Sequence, residues 1–596
     1  MRKFPQLTML SQSVLDTTTF LGYDHNLVVQ DGAMYDMRNM TGDLTPVLAS
    51  RPPRGLVAQI PSPHGLAAKD GLCWISGADV YMNGLRVEGV QVSEEDKMLP
   101  KQLVSMGAYL VIWPDKVYIN TQDLTDVGRM DASFTSVSSY SVTMCRGDGT
   151  DYDMAAIVLS DVPPEEPGNG DMWMDTSGEA HVLMQYSEAT GEWVQVATTF
   201  VKVQSVGLGA SFKQYDGVEI SGIAADEGGD LPESVKDQLA ALNGSALLYE
   251  AGDDYVVLAG MIDRAMTIEG SMVTIRRVVP DMDYITECNN RLWGCKYGMA
   301  DGQVVNEIYA CALGDFRNWR RFMGVATDSY TASVGTDGRF TGAATVAGCP
   351  VFFKEGCLHK VIGVGSNAYQ ITSMECRGVQ EGCGGSLCTV NETLFYKART
   401  GVMTYDGSMP SSVSAALGTA RYDSAVAGSA GEKYYISMRD SASGEWSMFV
   451  FSTKTGMWHR EDETQAIAFA QKGGELYFID SAGRLMAEGG TEGEGEGPVE
   501  WMAETGTFGY AYENHKYLSR FNIRAQMEEG AEMALDIQYD SDGAWRQMAV
   551  MKGNVTRTFM VPVIPRRCDH LRLRLRGRGQ VRVYSLARIL EIGGDG

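Results

Sequence analysis

The chain has 596 residues, too many for one ordinary hydrophobic core, so two to four domains are expected. Its net charge of −26 excludes general nucleic-acid binding by phosphate neutralisation, and no apolar run reaches membrane-spanning length. Glycine (68) far exceeds proline (18) and Tyr (27) exceeds Phe (18), the composition of tight turns between aromatic strands in a mainly β protein.

The N-terminus, "MRKFPQLTML", lacks a signal-peptide apolar region, so the chain is expected to stay in the compartment of its synthesis. An extended strap fills 1–60. Within it, "YDMRNMTGDLTPVLASRPPRG" (35–55) is too polar for a core strand, and Pro46, Pro52 and Pro53 bar a helix. Arg51 and Arg54 flank the proline pair and are placed to pin it to a carboxylate.

A short aromatic hairpin then recurs along the chain. It appears at 71–84, 107–120, 290–313, 348–363, 391–407, 432–458 and 474–489, with a spacing of roughly 40 residues from 348 onward. Hairpins cannot bury both faces alone, whereas radial stacking buries them and leaves few open edges. The expected fold is a β-propeller of six or seven degenerate blades over 61–124 and 279–490, with an array of β-sandwiches as the alternative.

The period breaks over 125–278, read as an inserted α+β module. "LPESVKDQLAALNG" (231–244) is its helix, with Pro232 in the first turn and Asn243–Gly244 at the end. From Asp126 to Glu269 there are 25 acids against six bases, a balance of −19. Residues 491–500 read as a Gly/Glu linker. Beyond it, 501–596 alternates as a C-terminal β-sandwich, with 14 bases against 11 acids.

No motif carries strong chemistry. The 11 cysteines include no CxxC, and a zinc cluster with His359 has the wrong spacing. "CRGDG" (145–149) and "YDSDGAW" (539–545) read as polar turns. Asp281 and Asp283 are two apart on a strand start, one local pair without a visible third ligand. Arg572, Arg574 and Arg576 alternate with Leu571, Leu573 and Leu575, which puts three guanidinium groups on one face and three leucines in the core. With Arg51, Arg54, Arg566 and Arg567 they are the candidate subunit-interface residues; no catalytic, cofactor or metal residue is assigned.

"NMTGDLTPVLASRPPRG" (39–55) resembles the N-terminal segment of bacteriophage tail-nozzle, or packaged-DNA-stabilisation, propeller proteins. "NNRLWGC" (289–295), "NEIYACALGDFRNW" (306–319), "YKARTGVMTYDG" (396–407) and "PRRCDHLRLRLRG" (565–577) are similar to phage structural proteins too. The resemblance implies a virion protein without enzymatic activity or cofactor, made in the host bacterial cytoplasm. It implies a homo-oligomeric ring, with a hexamer as the expected form, around double-stranded DNA that it touches without sequence specificity. Portal, adaptor or other tail proteins, and a host-surface receptor, are the implied partners. The alternative functions are a tail-borne receptor-binding protein and a propeller glycosidase of sialidase or depolymerase type. The glycosidase would need paired carboxylates with a Tyr or Arg cluster at the central face.

Overall fold

The computed structural model describes residues 11–94, 100–178, 180–224, 231–300, 302–509, 516–564 and 566–592; the decapeptide read for a targeting signal lies outside them. The molecule is mainly β, built from many separate sheets. Each of the seven aromatic hairpins forms the middle of one sheet. Sheet by sheet, the first strands are Pro63–Ala68, Gln102–Met106, Tyr284–Glu287, Gly342–Val346, Cys388–Val390, Tyr422–Ala430 and Ala466–Lys472. Six sheets have four strands from consecutive sequence.

The seventh sheet is assembled from both ends of this region. Ala466–Lys472, Glu475–Asp480 and Arg484–Ala487 are followed in the sheet by Gly55–Gln59, which precedes the first sheet in sequence. The first strands lie against one another in order: Pro63–Ala68 contacts Gln102–Met106, which contacts Tyr284–Glu287, which contacts Gly342–Val346. The turn Gly384–Ser386 bridges Gly342–Val346 to Tyr422–Ala430, and Ala466–Lys472 contacts both Tyr422–Ala430 and Pro63–Ala68.

Between the second and third sheets, residues 132–277 form an eight-stranded sheet and a four-stranded sheet. The one α-helix among the described residues, Glu233–Ala241, lies here. Pro232 caps it, as expected for a residue without an N–H at a helix start, and Val235 and Leu239 are its buried face. The apolar cluster of this region draws only on its own side chains, among them Tyr140, Val201, Leu239 and Ile268.

Two further sheets lie at the C-terminal end. One contains Lys516–Met527, Val555–Pro562 and Val581–Ile592; the other contains Glu500–Thr505, Glu532–Tyr539, Arg546–Lys552 and Leu571–Arg578. Phe521, Ile523 and Ala525 from the first share a core with Leu535, Leu571, Leu573 and Leu575 from the second, so the predicted leucine face is buried. The strap is not an arm beside these sheets but part of them. Ser11–Thr17, Met40–Thr41 and Leu48–Ser50 join the first sheet, and Met34–Arg38 joins the second. Met37, Met40 and Leu48 are its buried anchors, and they lie in the core shared with Val402, Trp458 and Leu573. An alternating apolar pattern that short cannot announce a strand whose partners lie more than 450 residues away.

Candidate functional site

The strap ends in a buried ionic clasp. Asn39 adopts a left-handed backbone (φ 54°), and its side-chain amide donates to the Glu500 carbonyl at 2.7 Å. This turn aims its Oδ1 at Arg51, whose Nε donates to it at 2.8 Å. Arg51 also pairs with Glu496, and the Arg51 carbonyl accepts from Gln580 at 2.7 Å. Arg54, 3% exposed, is held by three carboxylates. Its Nε reaches Glu488 at 2.6 Å, Nη1 reaches Asp462 at 2.7 Å, and Nη2 pairs with Glu461. The guanidinium plane lies 5.0 Å over the Phe478 ring. At Gly55 the backbone runs so close to its neighbour that a Cβ would sit 1.9 Å from the Glu492 carbonyl oxygen. The clasp therefore joins three separate stretches: the strap, the loop after Met457–Arg460, and the acidic run 488–496.

Within 491–500, read from composition as a solvated linker, residues 491–495 are exposed while Glu496 pairs with Arg51. Glu494–Gly495 pairs with Leu56 and Gly55 as an added strand, and Glu488 and Glu496 face the two arginines. Desolvated guanidinium groups need carboxylate partners, so Glu488 and Glu496 are drawn inward at the two ends of an otherwise exposed run. Arg51 and Arg54 are accordingly engaged within the chain, not presented to a second subunit.

Two carboxyls of the clasp are displaced in opposite directions. Burial pushes Glu488 up, Arg54 pulls it down and Glu461 pushes it up again, leaving it well above the usual range. Burial also pushes Asp462 up, but Arg54, Thr464 and Arg51 outweigh this and hold it down at about 2. Because the folded value for Asp462 lies below its unfolded value, its contribution is present above pH ~4 and is lost as pH falls through about 2. Glu488 has the opposite sign: its contribution is present at acidic pH and lost as pH rises through its raised value. Acid titration of unfolding should show about 2 kcal/mol from Asp462, and Asp462→Asn should flatten that acid limb.

The basic strand Leu571–Arg578 is likewise tied to its own sheet. Arg572 reaches Glu504 at 2.5 Å and lies 4.4 Å over Tyr35. Arg574 and Arg576 share Asp536 at 2.8 and 2.7 Å, and Arg574 lies 4.4 Å over Trp545. Asp536 is buried, which explains why it draws two cations. These three are thus paired inside the chain, beside a cleft of about 720 Å³ that Arg38, Lys552 and Arg578 also line. Arg566 and Arg567 stay exposed; Arg566 lies 3.8 Å from Asp542 and 5.0 Å over Tyr539.

The other motifs do not converge. Arg146–Asp148 is an exposed turn in which Asp148 accepts from the Thr150 amide. Asp281 pairs with Lys116 and Asp283 with Lys296. All 11 cysteines are free, and the described residues hold no group of three His, Cys, Asp or Glu placed for a metal. His359 is fully buried, bonded to Thr336 and Ser373 at 2.8 Å each, and burial holds it down at about 4.

A cavity of about 500 Å³ opens among the first strands of six of the seven sheets, with Gly384 and Gly385 beside them. Tyr284 and Trp446 line it with Gln102, Ser424 and Gln465, and its described lining contains no aspartate or glutamate.

No family model matches the chain, and no curated protein matches it. Among solved structures it is similar to an exo-β-1,3-galactanase of Phanerochaete chrysosporium, at 8% identity and a TM-score of 0.20, over 51% of this chain and 94% of that one. It is also similar to a glycoside hydrolase family 43 arabinoxylan arabinofuranohydrolase of Bacillus subtilis, at 10% identity and a TM-score of 0.16, over 53% and 95%. The matched structures are glycoside hydrolases, at odds with the expectation of a chain without enzymatic activity. At such TM-scores the likeness carries no argument about substrate or reaction.

Proposed function

We propose that the seven sheets close as a seven-bladed β-propeller, with 125–278 as an inserted module, and that the chain is a structural subunit of a ring in a bacteriophage tail. The closed order of contacts among the first strands, and the strand Gly55–Gln59 that completes the seventh sheet, support the propeller. The tail reading is carried by the clasp. The stretch 39–55, which bears the resemblance to nozzle proteins, is the segment that Arg51 and Arg54 fasten to the last sheet and to both C-terminal sheets. Such a fastening suits a part under mechanical load. It makes a stiff disc, the disc packs into a ring, and the ring encloses the exit path of packaged DNA. The −19 region repels phosphate and keeps DNA from adhering as it passes. Portal, adaptor and other tail proteins are the neighbours, and the virion tail is the location.

A second reading is a propeller that binds host glycans. The cavity among the first strands favours it, because Tyr284 and Trp446 offer stacking faces beside the amides of Gln102 and Gln465. One preparation separates the two. Cryo-EM of assembled protein should show closed rings on the tail axis; scattered monomers would sink the ring. Binding of host polysaccharide, lost in Trp446→Ala, would establish the glycan reading.

A further inference from the structure

The arginines of Leu571–Arg578 are all spoken for, but three others are not. In the register of Lys516–Met527 with Val555–Pro562, Arg520 faces Pro562, Asn522 faces Met560 and Arg524 faces Thr558. On the other side Gln526 faces Arg582. Alternation puts Phe521, Ile523, Ala525, Phe559 and Val561 in the core, so these partners share the opposite, outward face. Arg520, Arg524 and Arg582 have no ion pair among the described residues; one exposed carboxylate shares their face, Asp16, whose strand partner Ala587 also pairs with Asn522. Met560 is 70% exposed on the same face, and Ile564 at its end is 87% exposed.

A complementary surface lies on the four-stranded sheet of 158–195. Its loop, "DVPPEEPGNGD" (161–171), exposes Asp161, Glu165 and Glu166, and the adjoining hairpin exposes Glu188 and Glu192. None of these five has a cation partner among the described residues. Val158, Leu159, Val162 and Val194 stand exposed between them.

We infer that the acidic tip 158–195 of one copy docks on the arginine face of Lys516–Met527, Val555–Pro562 and Val581–Ile592 of the next copy. Each patch combines unpaired charge of one sign with exposed aliphatic side chains, the make-up of an interface with an apolar middle and a charged rim. The patches are two different surfaces of one chain, so the contact is head-to-tail, the kind that forms a ring when the rotation between copies closes. Three prolines in the loop limit the entropy lost on docking. A phosphate backbone is the other polyanion that fits three arginines, but it has no use for Met560 and Ile564. The inference rests on the ring reading and gives it its subunit contact.

The test uses the full chain and measures its assembly by sedimentation. R520E/R524E and E165K/E166K should each weaken assembly on the order of 100-fold, and combining all four should restore most of it. R520A/R524A, which leaves no buried group unpaired, should weaken it about tenfold and controls for misfolding. Wild-type assembly unchanged by either arginine variant overturns this inference and leaves the ring reading standing. A wild-type chain that stays monomeric at about 100 μM overturns both. Unchanged assembly with lost retention of double-stranded DNA overturns it in favour of a phosphate contact.

Discussion

Arg54→Met should lower stability by about 3–5 kcal/mol, seen as a drop in the unfolding midpoint with the seven-sheet region and the C-terminal sheets affected together. The methionine fills the volume over Phe478 but leaves Glu461, Asp462 and Glu488 facing one another without their cation. Arg54→Lys should recover only part of the loss. A lysine is a single point charge and cannot address three carboxylates through a planar fork. Adding Glu461→Gln and Glu488→Gln to Arg54→Met should restore most of the stability, because the unpaired buried charge is then removed from both sides. If Arg54→Met unfolds within ~1 kcal/mol of the wild type, the clasp is not the fastening described above.

Removal of residues 1–54 should prevent the C-terminal sheets from folding as a stable unit. The truncation strips Ser11–Thr17, Met40–Thr41 and Leu48–Ser50 from one sheet and Met34–Arg38 from the other. It exposes the edges of Val581–Ile592 and Glu500–Thr505, and open edges template aggregation. Met37, Met40 and Leu48 leave the core at the same time, each loss costing about 2–5 kcal/mol by the measure of buried large-to-small changes. The expected result is insoluble protein, or protein whose 501–592 region is cleaved by protease ahead of the sheets from 63 to 487, which are themselves weakened by the loss of Arg54. A truncated chain with unchanged protease resistance across 501–592 would contradict this.

Together the two outcomes separate fastening from folding. The arginine change asks whether the buried charges hold two regions as one block. The truncation asks whether the strap is itself a building element of the C-terminal sheets. A chain that fails the second test but passes the first has strands without a clasp.

What the sequence by itself determined was local. A recurring aromatic strand, turn and second strand located each of the seven hairpins, and period-two alternation put Leu571, Leu573 and Leu575 inward, because side-chain direction along a strand depends only on neighbouring positions. Pro232 and the apolar pair Val235 and Leu239 marked the helix for the same reason. Even the pinning of Arg51 and Arg54 to carboxylates followed from their chemistry, without naming a partner. The tertiary structure decided everything that joins distant positions. "EGEGEG" (492–497) reads as solvent-exposed linker by composition, and 492–495 are exposed, yet Glu496 turns toward Arg51 because a buried guanidinium must be neutralised. Arg572, Arg574 and Arg576 read as a free basic stripe, yet Glu504 and Asp536, from neighbouring strands, take them. The shared face of Arg520, Arg524 and Arg582 was not legible in the sequence, since it exists only through pairing of strands that the chain separates. Which charges are spent inside the fold and which remain for a partner is a property of register, and long-range register is set by the cores that distant strands share.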